Sequence, residues 1–394
     1  MTSAADVDAK GSTGLAAVLT AAMTWSMLPL FLLGALGPAL VDEFGIGAPL
    51  LGVLVSAGFG MAAVLSLFAG PVVAAVGPRR CLLVLFTVSA VVLAGFAAAP
   101  VYAVLVLAVA ISGVPQALAN PSTNQLISTR VPGPAKGAVT GWKQSGVQLG
   151  AFLAGLPLAA VAAFTDWRVA VGVAAVAALA VAAATLTLRP DPGPVRRVRR
   201  KAIRPSTQAW WLCGFSVLLG SGISTVNTYV TLFGTHQLGF SPAVAGGLVA
   251  VLGLAGIGGR VGWARVAGRS AAPGSLLAPL AAGAAVASLA LVAAAGWWAG
   301  WAWVATIGLG IFAVSANAVS MVTVIATSPP DAVARDSSVV SAGFFAGFAI
   351  GPPLAGALAA GSGGRYQLAW LAVAVAFAAA AVVAWWWRVR TARS

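Results

Sequence analysis

The chain is a succession of apolar runs, each about as long as a bilayer is thick, separated by short stretches that hold nearly all the charge. A helix needs about 20 apolar residues to cross the hydrocarbon core. Runs of that length fall at 15–40, 48–69, 81–99, 101–122, 137–161, 168–188, 209–233, 243–263, 275–296, 301–326, 337–360 and 367–387. The pattern predicts an all-α membrane protein with twelve transmembrane helices. Asn, Ser, Thr and Gln interrupt the fourth and fifth runs, so their borders are the least sharply marked.

Composition agrees with this reading. Of 394 residues, 60% are hydrophobic and 8% charged, against about a quarter charged in an ordinary soluble domain. Water offers no place for so much apolar surface, whereas a bilayer lets helices stay apolar all round. The net charge of +14 raises the question of nucleic acid. Its placement points instead to topology, because Lys and Arg gather in alternate loops as the positive-inside rule requires. One side receives Lys10, Arg79, Arg80, Arg130, Lys136, Arg189 to Arg204, Arg260, Arg265, Arg269, Arg335 and Arg388 to Arg393. Arg168, Arg365, Asp42, Glu43 and Asp166 fall on the other.

Both termini are therefore expected in the cytoplasm of a bacterium, with the chain in its inner membrane and the lipid bilayer as its solvent. The polar tail ends near Gly14, and the first run is too long for a cleaved signal peptide. Trp210, Trp211, Trp297 to Trp303 and Trp385 to Trp387 stand at predicted span ends, where amphipathic rings prefer the interface.

A basic linker divides the chain into 1–188, 189–206 and 207–394, six spans on either side. The halves repeat each other. Gly45-Ile-Gly-Ala-Pro-Leu-Leu-Gly52 parallels Gly239-Phe-Ser-Pro-Ala-Val-Ala-Gly246, and Asn120, Pro132, Gly146 and Gly150 recur as Asn317, Pro329, Gly343 and Gly347. Two repeated bundles about a central site are a transporter design.

Catalysis finds no support. Cys81 and Cys213 lie far apart without a metal-like spacing, no phosphate-cradling loop occurs, and the single histidine, His236, falls near the outer end of the seventh span with no Ser-His-Asp set evident around it. Neither an enzyme, a metal site nor a cofactor is expected. All eight acids, among them Asp42, Glu43 and Asp336, fall in tails, loops or span ends, leaving no carboxylate at the midplane.

Over nearly its whole length the chain resembles the major facilitator superfamily. The loop after the second span reads Gly70-Pro-Val-Val-Ala-Ala-Val-Gly77-Pro-Arg79-Arg80. It is similar to the family's loop signature, with Ala74 in place of its acid. The loop after the eighth span, with Gly259, Arg260, Gly262, Arg265, Gly268 and Arg269, also lacks the acid. Gly137, Gly146, Gly150 and Gly155 resemble the glycine motif of the family's antiporters, and Gly347 to Gly356 come closer still. Small residues at such spacing also serve plain helix packing. The fourth-span arginine of proton-driven drug exporters has no counterpart, while Asn120 to Asn124 and Gly141 to Gly146 look like bacterial members similar to small-anion and metabolite carriers.

The resemblance implies two six-helix bundles that alternate access to a cavity lined by the first, fourth, seventh and tenth spans. Polar side chains in hydrocarbon turn to the bundle interior. The substrate-binding candidates are accordingly Trp25; Gln116, Asn120 and Asn124 in a stripe with Ser112; Asn227 and Tyr229; and Asn317. Lys143, with Gln144 and Gln148 beside it, is the one lysine expected inside a span. It either meets an anionic substrate, snorkels to the interface or pairs with Asp336 in a gate. Gly70, Gly77, Arg79, Arg80, Arg260, Arg265 and Asp336 are the candidates for gating or the loop motif. The expected activity is passage of a small anion or polar organic metabolite by a monomer. Export of a larger hydrophobic compound, or a non-transporting scaffold, are the alternatives.

Overall fold

The computed structural model describes residues 4–131, 136–188, 190, 205–270, 272–328 and 333–391. Twelve helices are long and apolar enough to cross a membrane, and no strand occurs among the described residues. In the first half they are α1 (Gly14–Ala35), α2 (Ala48–Val73), α3 (Pro78–Ala97), α4 (Tyr102–Ile127), α5 (Gly141–Phe164) and α6 (Trp167–Thr185). In the second they are α7 (Thr207–His236), α8 (Pro242–Ala267), α9 (Pro273–Gly296), α10 (Trp301–Val324), α11 (Asp336–Gly361) and α12 (Gln367–Arg390). Several helices reach further than these spans: that of α1 begins at Ala4, so the polar tail is helical, that of α5 begins at Lys136, and that of α8 runs to Arg269. The linker expected at 189–206 lies almost wholly outside the described residues, as do Pro132 and Pro329.

Antiparallel connection gives the bundle two ends. The basic end carries both termini together with Arg79, Arg80, Arg130, Arg265, Arg388 and Arg390, and the far end carries Arg168 and Arg365. The lateral surface is apolar: Leu67, Phe68, Val91, Leu107, Val176, Val286, Val375 and Val382 are all exposed. Exposed apolar surface on this scale belongs in lipid. Trp210, Trp297, Trp298, Trp385 and Trp386 are exposed at span ends.

The repeat in the sequence is a repeat of contacts. Gly45 and Gly239, 194 residues apart, both hold a left-handed backbone (φ 59° and 71°) that ends one helix before the next begins. On α5, a Cβ at Gly146 would fall 2.2 Å from the Thr20 carbonyl oxygen of α1. On α11, a Cβ at its counterpart Gly343 would fall 2.7 Å from that of Cys213 on α7, and one at Gly347 2.1 Å from that of Val217. Glycine alone permits these crossings. Gly113 and Gly310 mark a second pair, related by the same offset of 197 as Asn120 and Asn317. A Cβ at Gly113 would meet the backbone nitrogen of Ala62 on α2 at 2.7 Å, and one at Gly310 would meet the Leu252 carbonyl oxygen on α8 at 2.7 Å. At these points α4 breaks after Ile111 and α10 opens into a π-turn over Gly310–Val314.

The core shows how the halves meet. One cluster joins the second half to the far ends of α1 to α6, including Met27 to Leu40, Leu51 to Phe59, Phe96, Leu105, Leu158 and Trp167. The basic end of the first half has its own core of Leu15, Leu19, Met23, Leu82, Phe86 and Leu126. The two bundles are thus fused at the far end and part toward the basic end.

Candidate substrate site

Lys143 on α5 is fully buried, yet it does not snorkel. Its Nζ donates to Asn120 Oδ1 at 3.1 Å and to Asn124 Oδ1 at 2.7 Å, both on α4. The polar stripe places these acceptors: Ser112, Gln116, Asn120 and Asn124 follow one another at intervals of four on the same side of a helix. Pairing with Asp336 does not occur. That carboxylate, buried at the start of α11, accepts from the Ser206 backbone N–H at 3.2 Å, Ser206 Oγ at 2.8 Å and Ser328 Oγ at 2.9 Å. Ser206 in turn caps α7. Asp336 therefore ties together the basic ends of α7, α10 and α11.

Among the described residues no carboxylate lies within ion-pair distance of Lys143, and two neutral amides carry its charge. An ammonium has three donors, and burying it without a counter-charge is expensive. Asn124 is exposed and Asn120 half-buried. The charge thus lies directly behind two amides that reach open space.

Further polar atoms near this level lack partners. Gln116 Nε2 donates to Ser112 Oγ at 3.2 Å, but Gln116 Oε1, Gln148 Oε1 and Asn317 Oδ1 are buried with none. Counted at about 1.5 Å per residue from the basic ends of their helices, Lys143, Asn120, Asn124, Gln116, Gln148 and Asn317 lie roughly 9 to 21 Å deep. At this level the halves still touch where α8 packs on α5, with Gly253 and Gly256 against Gln148. Gln144 is half-buried there. Asn227 lies deeper, roughly 30 Å along α7. Its Nδ2 serves its own helix at Ile223, its Oδ1 has no partner, and its carbonyl is the close neighbour of Gly34.

Tyr229 and Trp25 have other employment. The buried Tyr229 hydroxyl lies 2.6 Å from the Ala48 carbonyl oxygen of α2 and 2.9 Å from that of Pro352 on α11, so it bridges the halves at the far end. Trp25 Nε1 donates to the Ala174 carbonyl of α6 at 3.1 Å, within its own half.

The far-end closure has a cause in the backbone of α11. Pro353 has no N–H to give to the carbonyl four residues back, which leaves the Ala349 oxygen free. Ser56 of α2 donates to that oxygen across the interface. Phe59 of α2 stacks against Phe345 and Phe348 of α11 at centroid distances of 5.9 and 4.7 Å. Gly52 and Gly356 bring the backbones together, since a Cβ at either would come within 2.7 Å of backbone on the opposite half. The tandem Pro352-Pro353 inside an apolar run was the signal for this contact.

The loop-motif residues sit at the basic end. Gly77 (φ 94°) turns the chain between α2 and α3, Gly70 has open space around it, and Arg80 and Arg265 are exposed. Arg79 reaches the Leu186 carbonyl at the end of α6, 2.6 Å away. Arg260, expected in a loop, is instead within α8.

Two like halves closed at one end, with buried uncompensated charge toward the other, define a polytopic carrier. The family profile described as "Major Facilitator Superfamily" matches residues 14–334. The chain belongs to that superfamily and is a membrane transporter. Among solved structures, it is similar to a bacterial homolog of the human lysosomal transporter Spinster, in an inward-facing and occupied conformation. That match has 16% identity and a TM-score of 0.71, covering 94% of this chain and 95% of the other. It is also similar to a D-xylose-proton symporter, with 18% identity and a TM-score of 0.73, over 95% and 97% of the two chains. At these identities the likeness concerns the fold. The comparison with curated proteins gives no match.

Proposed function

We propose that the protein carries a small anion or an anionic polar metabolite across a bacterial cytoplasmic membrane by alternating access. In this reading the basic end faces the cytoplasm, the bundles are 1–188 and 207–394, and the structure is the state open to the cytoplasm. A single observation carries the substrate class. Lys143 is a buried cation with neutral partners only, on a helix at the interface between the bundles. A site built for a neutral ligand would gain nothing from such a charge, whereas an anion completes it. The unpartnered amide oxygens of Gln116, Gln148 and Asn317 accept from any hydroxyl or N–H groups the ligand carries.

Export of a hydrophobic compound draws its support from the glycine motifs and the scarcity of charge in the spans. Gly146 and Gly347 are occupied in packing α5 on α1 and α11 on α7, which accounts for them without a substrate. The test is uptake of radiolabelled carboxylates and phosphate into proteoliposomes, compared between wild type and Lys143→Gln. Saturable anion uptake lost in the variant is expected. Equal uptake by both, or transport of hydrophobic dyes alone, contradicts the proposal.

A further inference from the structure

Arg260 of α8 is a second cation inside a span, half-buried and with no acid in ion-pair reach among the described residues. It stands nine residues from the end of its helix at Arg269, roughly 14 Å in. Its Nη1 donates to the Gln144 carbonyl of α5 at 3.2 Å, and its Nε is buried without a partner. A helical carbonyl already takes part in the helix ladder, so this bond uses only its remaining lone pair. For a guanidinium, whose five donors are matched to carboxylate or phosphate, that is a poor partner.

The surroundings are those of a site. One turn along α5 from Gln144 lies Gln148, and one turn along α8 from Arg260 lies Gly256. A Cβ at Gly256 would approach Gln148 Cγ to 2.8 Å, so the amide side chain packs on this stretch of α8. Gln148 is only 4% exposed, and its Oε1 has no partner. Ser315 of α10 is fully buried with an unpartnered Oγ, and lies against Gly259, where a Cβ would come within 2.7 Å of that oxygen. A guanidinium, an amide and a hydroxyl with unused hydrogen-bonding capacity thus gather at one turn of α8.

Charge counting then bears on the ligand. Asp336 is the only acid within the twelve spans, and Ser206 and Ser328 hold it elsewhere. Of the cations in the spans, Lys143 and Arg260 lie furthest from the helix ends, one from each half, and act at successive residues of α5: 143 reaches to α4 and 144 receives α8. One negative charge would leave one of them uncompensated, and two would satisfy both.

We infer that Arg260 is a second anion-binding side chain, contributed by the second half, and that the ligand is a dianion such as a dicarboxylate or a phosphate-type oxyanion. This rests on the reading of Lys143 as an anion-binding residue. The anion takes the place of the Gln144 carbonyl on Arg260. Because its two charges engage both halves, it ties α8 to α4 across α5 and favours closure of the basic end.

The experiment is calorimetric titration of the purified full-length protein with succinate and sulfate as dianions and propionate and nitrate as monoanions, at neutral pH. Wild type is expected to bind the dianions at least tenfold more tightly than the monoanions. Arg260→Gln should bring that ratio to about one while still binding monoanions, Arg260→Lys should keep part of the preference, and Lys143→Gln should weaken both classes. An undiminished dianion preference in Arg260→Gln, or no preference in wild type, would overturn the inference and leave Arg260 as a strut between the halves. Anion binding at wild-type strength in Lys143→Gln, or none of the four anions binding to wild type, would overturn the underlying reading of Lys143 as well.

Discussion

Replacing Lys143 by Met separates a residue kept for ligand from one kept for structure, because the two roles predict opposite signs. In the ligand-free protein the substitution removes a fully buried ammonium, whose desolvation costs several kcal/mol. It also removes two hydrogen bonds to Asn120 and Asn124, each worth about 1.5–3 kcal/mol for a charged donor. The freed amides are half-buried and exposed, so water replaces the lysine as their partner and little of that loss persists. Stability without ligand should therefore be unchanged or raised. Ligand binding should fall sharply, since truncating one member of a buried charge pair costs about 2–5 kcal/mol, from about 30-fold to several thousand-fold in affinity. Thermal unfolding in detergent, with and without an anion, reads both quantities. A fall in apparent Tm of several degrees in Lys143→Met, with the anion-induced rise intact, would show that the lysine is a structural tie between α4 and α5.

Three further outcomes are expected. Ser56→Ala and Tyr229→Phe each remove one hydroxyl-to-carbonyl bond across the far end, worth about 1 kcal/mol or about fivefold in population toward the far-open state. Spin-label distances between Asp42→Cys and Ser362→Cys, with Cys81 and Cys213 replaced, should show a larger open fraction, and an unchanged distribution would remove these bonds from the gate. Gly347→Ala should cost several kcal/mol, because its Cβ would lie 2.1 Å from the Val217 carbonyl oxygen, whereas Gly172→Ala, with open space, should be neutral or gain up to about 1 kcal/mol. Equal effects in thermal unfolding would count against the packing. Glu43 forms an ion pair with Arg168 at 2.8 Å, and that hydrogen bond holds its carboxyl below the usual glutamate range. Its contribution is present at neutral pH and disappears as pH falls through the lowered value, so Glu43→Gln should differ slightly from wild type at pH 7 and not at all in strong acid. A difference that persists in acid would point to packing instead.

The spans were legible because a bilayer imposes one length and one composition on every helix, and each of the twelve apolar runs is a helix. Lys143 was legible as an anomaly: one ammonium in a run that otherwise avoids charge. Its partners were only half legible, since a stripe at intervals of four tells which residues share a face and not which neighbouring helix that face meets. Asp336 illustrates the difficulty, for in sequence it was as good a partner for Lys143 as Asn124, and only the packing of α7, α10 and α11 shows that it is used elsewhere. Tyr229 looked like a cavity residue because a polar atom in hydrocarbon signals a partner without identifying it. Ser56 was hidden for the converse reason. A serine that needs one acceptor is unremarkable until Pro353 frees a carbonyl opposite it. Arg260 was read as a loop residue because the basic residues after it resemble a loop motif, yet α8 continues to Arg269.

If a small anion completes the site around Lys143, its passage moves charge that an electrical recording detects. Proteoliposomes of wild type and Lys143→Gln on a solid-supported membrane would be given concentration jumps of succinate, sulfate, propionate and nitrate in turn. A saturable transient current with at least one of these anions is expected in wild type and none in Lys143→Gln. Identical currents from both proteins, or no current from wild type with any of the four anions, would contradict it.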